Sequence, residues 1–514
     1  MRSLHAGRSS HLIAPPAGVA RLHASKPRRE ALPRRYRDTV RDKFESTIEN
    51  AIKLVLEQPV STFSVDVDTA SYGFMRRTLN SGTLPPKDTV RLEELINYFD
   101  YGYPQPKSPN RPFQPTVTVA PSPWREGNKL IHIGIKGYDL EAADKPRSNL
   151  VFLLDVSGSM NAPDKLPLMV NSMKLLLESL EEDDTVAIVV YAGAAGTVLE
   201  PTVVSEKRKI QSALNRLRAG GSTAGGQGLE RAYDWAEDAF DPDAVNRVIL
   251  ATDGDFNVGV SSVDALRRMI VQKRKSGIYL SVLGFGAGNL NDHLMQALAQ
   301  NGNGVAAHID NLNEARKVLV EEASSTLFTI AKDVKIQVEF NPGKVAEYRL
   351  IGYETRALKR EDFRNDKIDA GDIGAGHSVT AIYEISPVGS NSRMLPDNRY
   401  TRTTEKPKSS FGDEYAFLKI RYKLPGEDKS RLITEPIRTT QEARDIDTPG
   451  YRDTRWATAV AAFGQLLKGG KYMKDFDYDQ VIDLARSAKG EDDFGYRAEF
   501  INLARIARST KPLN

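Results

Sequence analysis

From Ser148 onward the chain alternates two kinds of hydrophobic pattern. Short, nearly continuous apolar runs ("NLVFLLD", "TVAIVVYA", "RVILATDG", "IYLSVLGFG", "VAAHID") are separated by longer stretches in which apolar residues recur every three or four positions. Those stretches are "LPLMVNSMKLLLESL", "EKRKIQSALNRLR", "LERAYDWAEDAF", "SVDALRRMIVQKRKSG", "DHLMQALAQ" and "NLNEARKVLVEEASS". Strands without polar alternation are buried on both faces, and helical spacing between them supplies the cover. Residues 148–325 are therefore expected to form a doubly wound α/β domain on a mainly parallel sheet of Rossmann-like type, with "TVLEPTVV" as a short edge segment.

The flanks follow other rhythms. Within 44–147, the spacing predicts a helix over 44–60, then a short strand and a helix in "STFSVDVDTASYGFMRRTLN". An amphipathic helix in "DTVRLEELINYFDY" and the alternating strands "PTVTVA" and "KLIHIGIKGYDL" complete that segment. Residues 326–440 alternate again in "DVKIQVEF", "EYRLIGYE", "HSVTAIYEI" and "YAFLKIRYKL", the pattern of an antiparallel sandwich. The β-rich segments on either side of the α/β domain are expected to pair into one sandwich that holds it. Residues 441–514 carry three helically spaced segments and form a small C-terminal helical region. Residues 1–43, basic and poor in acids, read as disordered.

Composition narrows the classes. A chain of 514 residues exceeds one hydrophobic core and implies several domains. The net charge of +3 gives no mandate for nucleic acid or an anionic membrane surface. The absence of cysteine removes disulfides, thiolate metal sites, a thiol nucleophile and a lipid-modified cysteine. No apolar run reaches the roughly 18 residues of a membrane span, and "HLIAPPAGVARL" is too short and proline-broken for a secretory signal core.

Candidate chemistry gathers where ligands bind in open parallel sheets, at the carboxyl ends of the strands. Asp155-Val156-Ser157-Gly158-Ser159 ends the first strand, Thr223 lies in the Gly-rich loop "GGSTAGG", and Asp253 follows the strand "ILAT". Each alone reads equally well as a helix cap or turn. Together they make an all-oxygen set suited to Mg²⁺ or Mn²⁺ in preference to Ca²⁺ and unlike a zinc site. With two acids, such a set leaves the ion electrophilic and open to an incoming carboxylate. Rival motifs fail: "GGSTAGGQG" lacks the lysine of a phosphate-binding loop. "FSVDVDT" has Ala70 where a haloacid-dehalogenase-type phosphatase has Thr or Val, so Asp68 or Thr69 is expected to cap a strand–helix junction. His293 and His308 are assigned structural places, and Asp255 is expected to point to solvent.

"DVSGSM", "GGSTAGGQGL" and "ILATDGDFNVG", in this order, resemble the von Willebrand factor type A domain with its metal-ion-dependent adhesion site. The resemblance implies that Ser157, Ser159 and Thr223 ligate the ion directly. It implies that Asp155 and Asp253 act often through water, and that an acidic side chain of a protein partner completes the shell. "FSVDVDTASYGFMRRTLNSGTLPPKDTVRLEELINYFDYGYPQP" and "GFGAGNLNDHLMQALAQNGNG" are further similar to the bacterial YfbK-like subgroup, whose members are often exported to the cell envelope. The expectation is a non-enzymatic protein-binding module with no small-molecule substrate. Its alternatives are a metal-dependent hydrolase or a structural or regulatory subunit of a larger assembly.

Overall fold

In the computed structural model, residues 48–510 are described except 66–67, 142–143, 223–224, 255–262, 287–290, 369, 397–410, 444, 446–447 and 449. The basic segment 1–43 thus lies outside the described residues, as do Thr223 and Asp255. Ahead of the α/β domain the chain supplies strands β1 (Lys53–Leu54), β2 (Val60–Ser64), β3 (Phe113–Pro121) and β4 (Lys129–Gly137) and helices α1 (Ala70–Asn80) and α2 (Leu92–Ile96). The helix expected over 44–60 is not formed in its described part. Lys53 and Leu54 instead pair antiparallel with Tyr348 and Glu347, and the Val55 N–H donates to the Ala346 carbonyl at 3.0 Å. Ile52, Val55 and Leu56 fit either period over so short a run, and an open sheet edge offers backbone bonds that one helical turn does not.

The α/β domain contains β5 (Ser148–Asp155), α3 (Leu166–Glu178), β6 (Thr185–Tyr191), β7 (Ala195–Val203), α4 (Lys207–Asn215), α5 (Gly225–Asp238), β8 (Val245–Thr252), α6 (Val263–Lys275), β9 (Ile278–Phe285), α7 (Asp292–Asn301), β10 (Ala306–Ile309), α8 (Leu312–Arg316) and α9 (Ala323–Leu327). Its sheet runs β10-β9-β8-β5-β6-β7, parallel throughout except for the antiparallel edge strand β7. All eight residues of β5 are buried, as a central strand covered by helices on both faces requires. One face packs Leu150, Phe152 and Leu154 against α3 and α4; the other packs Val151 and Leu153 against α5, α6 and α7.

After it come β11 (Thr329–Phe340), β12 (Val345–Ile351), β13 (Gly371–Gly374), β14 (Ser378–Pro387), β15 (Glu414–Lys423) and β16 (Arg431–Arg438), then α10 (Tyr451–Leu467), α11 (Tyr478–Ala488) and α12 (Tyr496–Ser509). Both antiparallel sheets draw on both sides of the α/β domain. One runs β1-β12-β14-β4-β3, and the other runs β13-β11-β15-β16 with β2 beside β11. The C-terminal helices do not pack alone: Trp456, Phe463 and Phe500 share an apolar cluster with Tyr72 and Leu79 of α1, Leu92 and Leu95 of α2, and Tyr98 and Phe99. Fold class is thus α/β with a β-rich sandwich and a C-terminal helical part.

Candidate metal centre

Strand order places the candidate residues. After β5 the chain moves outward to β6 and β7, then returns to β8 on the other side of β5, so the β5/β8 border is a topological switch point. Asp155 ends β5 and Asp253 directly follows the adjacent strand β8, near enough for the Asp253 charge to act on Asp155. Burial pushes the Asp155 carboxyl above its ordinary range; hydrogen bonds from Ser157 oppose this, and the Asp253 charge adds to it.

The loop after β5 is held by backbone bonds to both neighbouring loops. The Val156 N–H donates to the Tyr191 carbonyl at 3.1 Å, Gly158 donates to Gly221 at 3.0 Å, and Gly220 donates back to Val156 at 2.8 Å. Those bonds bring the start of the Gly-rich loop against the Asp155–Ser159 turn, while Thr223 itself lies outside the described residues. Gly228 on α5 allows that helix to sit low on the sheet. A Cβ there would come 2.8 Å from Tyr191 Cβ and 3.1 Å from Leu153 Cδ1.

Asp155 is fully buried and fixed from three directions. Its Oδ1 accepts from the Ser157 N–H at 2.8 Å, and its Oδ2 accepts from the Tyr191 hydroxyl at 3.1 Å and the Thr252 hydroxyl at 3.3 Å. Ser157 is buried and Ser159 exposed, and their hydroxyls meet at 3.0 Å. This arrangement turns both hydroxyl oxygens to one side of the loop, as hydroxyl ligands of a hard cation must be. Asp253 is buried too, and its Oδ2 accepts from the Lys165 ammonium at 2.8 Å. Four of the five candidate residues are thus brought together at one crevice, and their donor chemistry fits a divalent cation held by oxygens. Tyr191, Thr252 and Lys165 join them, beyond the five residues that the sequence marks. A tyrosine closing "TVAIVVY" and a threonine before Asp253 carry a weak signal as strand-end hydroxyls; Lys165, in a polar loop before α3, carries none.

The other singled-out residues have structural partners. Asp68 accepts from the Ala306 N–H at 2.8 Å and from Arg356 at 2.9 Å, so it ties segments together and does not cap α1. Thr69 stands at the N-cap of α1 without a side-chain cap bond. His293 lies on α7 and His308 on β10, the latter buried. No helix among the described residues is long and apolar enough to cross a membrane.

The fold and this crevice define a protein built around a von Willebrand factor type A domain: the model of that domain matches residues 149–321. Two more matches flank it, von Willebrand factor over 38–132 and the C-terminal domain of the uncharacterized protein YfbK over 325–510. The chain belongs to the YfbK family. It is 44% identical to the Escherichia coli (strain K12) protein YfbK over 471 residues, which are 90% of this chain and 81% of that relative. Human inter-alpha-trypsin inhibitor heavy chain H3 is 24% identical over 345 residues, 59% of this chain but only 38% of the longer relative. Among solved structures, the von Willebrand factor type A protein from Catenulispora acidiphila aligns over 81% of this chain and 99% of its own at 17% identity and a TM-score of 0.40. BatB from Bacteroides thetaiotaomicron aligns over 34% of this chain and 97% of its own at 25% identity and a TM-score of 0.29. Domains of this type are often metal-dependent and mediate protein interactions.

Proposed function

We propose that this protein is a non-enzymatic binding module that captures an acidic side chain of a protein partner through a divalent cation, Mg²⁺ or Mn²⁺, held at the β5/β8 crevice. Asp155, Ser157, Ser159, Thr223 and Asp253 would hold the ion. The observation that carries the reading is the meeting of the Ser157 and Ser159 hydroxyls beside two buried carboxylates at a sheet switch point. A bound divalent cation would supply the positive charge that a partner's carboxylate ligates. The chain's own part is to fix the oxygens in advance. Tyr191 and Thr252 hold the Asp155 carboxylate in one orientation, and the bonds between Gly158, Gly220, Gly221 and Val156 hold the loops that present the hydroxyls.

The test is linkage. At about a hundred times its Kd, Mg²⁺ stabilises the folded state by about 2.7 kcal/mol, so the wild-type melting temperature rises with added Mg²⁺ and returns on EDTA. Asp155→Asn, which keeps the side-chain shape but removes the charge, loses that rise. An equal rise in the variant overturns the metal assignment. Mg²⁺-dependent phosphoester turnover, abolished by the same substitution, would favour the hydrolase reading.

A further inference from the structure

The crevice already contains a cation of its own. Lys165 is 7% exposed, and its ammonium bonds Asp253 Oδ2 at 2.8 Å within a site whose described acids are Asp155 and Asp253. A buried lysine is held in place only if its stem is packed and its charge is met. Both conditions are satisfied. Gly286, at φ +74°, lies against the lysine stem so closely that a Cβ there would fall 2.4 Å from Lys165 Cγ. The Gly286 carbonyl in turn accepts from Arg77 of α1 at 2.5 Å, so an element outside the α/β domain holds the turn that packs the lysine.

We propose that Lys165 sets what the site demands: it weakens the hold on a divalent cation and strengthens the capture of an anion by the cation-loaded site. The proposal rests on the metal reading above. Charge gives it a direction. Two carboxylates and one ammonium sum to −1, so a divalent cation brings the cluster to +1, and an incoming carboxylate returns it to neutrality. Without the lysine charge the loaded cluster is already neutral, and a carboxylate arrives with nothing left to balance it. Beside charged groups that are themselves buried, one unit of charge a few ångströms away shifts each affinity by about tenfold or more. Lys165 thus makes the bound anion part of a complete site and disfavours an ion held tightly with no partner.

The experiment uses Lys165→Met, which keeps the stem against Gly286, and Lys165→Gln, which keeps a donor to Asp253 without the charge. Mn²⁺ binding to the full chain is read from the free-ion electron paramagnetic resonance signal. Acetate is then titrated into the Mn²⁺-loaded protein and followed by water-proton relaxation. Both variants are expected to bind Mn²⁺ about tenfold tighter and acetate about tenfold more weakly. A lysine that only supports the local structure would weaken both affinities together, and that result overturns the proposal. Unchanged Mn²⁺ affinity in both variants, with the wild type binding, also overturns it and leaves the metal reading standing. A wild type that binds no Mn²⁺ removes both.

Discussion

The β5/β8 crevice and the contact around Arg76 are both buried clusters of acids with hydrogen-bond donors, yet they are assembled from different parts of the chain. At Arg76 four segments converge. The guanidinium of α1 meets Asp310 after β10, Glu314 of α8 at 2.8 Å, Glu499 of α12 at 3.2 Å, and the Tyr98 hydroxyl at 3.0 Å. Tyr98 also donates to Glu314 at 2.8 Å, and its ring stacks on Tyr72 with centroids 3.5 Å apart. At the crevice Asp155, Ser157, Ser159, Lys165 and Asp253 all belong to the α/β domain. The first cluster brings a full-length guanidinium to its acids and welds three parts of the molecule. The second meets two acids with one ammonium and a pair of hydroxyls that bond one another. A cluster tied together from distant segments serves the fold, whereas one that sets paired hydroxyls beside two buried carboxylates within one domain, at a strand end, has oxygens to offer a cation from outside.

The sharpest way to break that contrast is to remove the guanidinium. Arg76→Met leaves Asp310 and Glu314 buried without their main partner and should cost about 3–5 kcal/mol of stability, read from the midpoint of urea unfolding. A loss under about 1 kcal/mol would place the contact with ordinary surface ion pairs, and the contrast would fail.

How much of this was legible in the sequence depends on what fixes each feature. The parallel sheet was legible because a strand buried on both faces, such as Leu150–Leu154, must be apolar at every position, whatever lies beside it. The strand-end oxygens were legible because Asp155, Ser157 and Ser159 have no apolar use. The stretch at Lys53–Leu54 has helical spacing but forms a strand, because its state is set by the edge of β12, about three hundred residues away, and not by local spacing. Lys165 was invisible for the same kind of reason: only the approach of Gly286 and Asp253 turns a loop lysine into a buried one. The partners of Arg76 on α8 and α12 are likewise set by segments far along the chain and not by the helical spacing around it. Local pattern carried the elements, while contacts between distant segments decided the charges.

A smaller effect separates the two regions by pH. His308, beside the α1 contact, is held well below the ordinary histidine range by burial first and then by Arg77 and Arg76. His132 in β4 is buried beneath α10 and lowered to about 3 by burial. Thr458 gives its proton to the Thr454 carbonyl at 2.7 Å, so its hydroxyl accepts from His132 Nε2 at 3.1 Å. Both rings are neutral in the fold and titrate near 6.5 when unfolded. Below that pH the unfolded chain binds more protons, so the stability these rings contribute is present above about 6.5 and is lost as pH falls. Each contributes a slope of about 1.4 kcal/mol per pH unit. His308→Gln should flatten the wild-type decline between pH 6.5 and 5 by about that amount, seen in urea midpoints at each pH. An unchanged slope would mean that the ring charges in the fold as easily as outside it.

The smallest expected effect on stability is the most telling for the crevice. Ser159 is exposed, and its hydroxyl meets that of Ser157 at 3.0 Å. Ser159→Ala should therefore shift the metal-free urea midpoint by no more than about 0.5 kcal/mol, as for an ordinary surface substitution. If the oxygens at this strand end are ligands, the same change should remove most of the Mg²⁺-dependent rise in melting temperature. The crevice would then respond in opposite fashion to the Arg76 contact, where stability collapses and no ion restores it. A variant that keeps the full Mg²⁺ response would show that the hydroxyl pair merely closes the turn after β5, and the contrast with the Arg76 contact would fail.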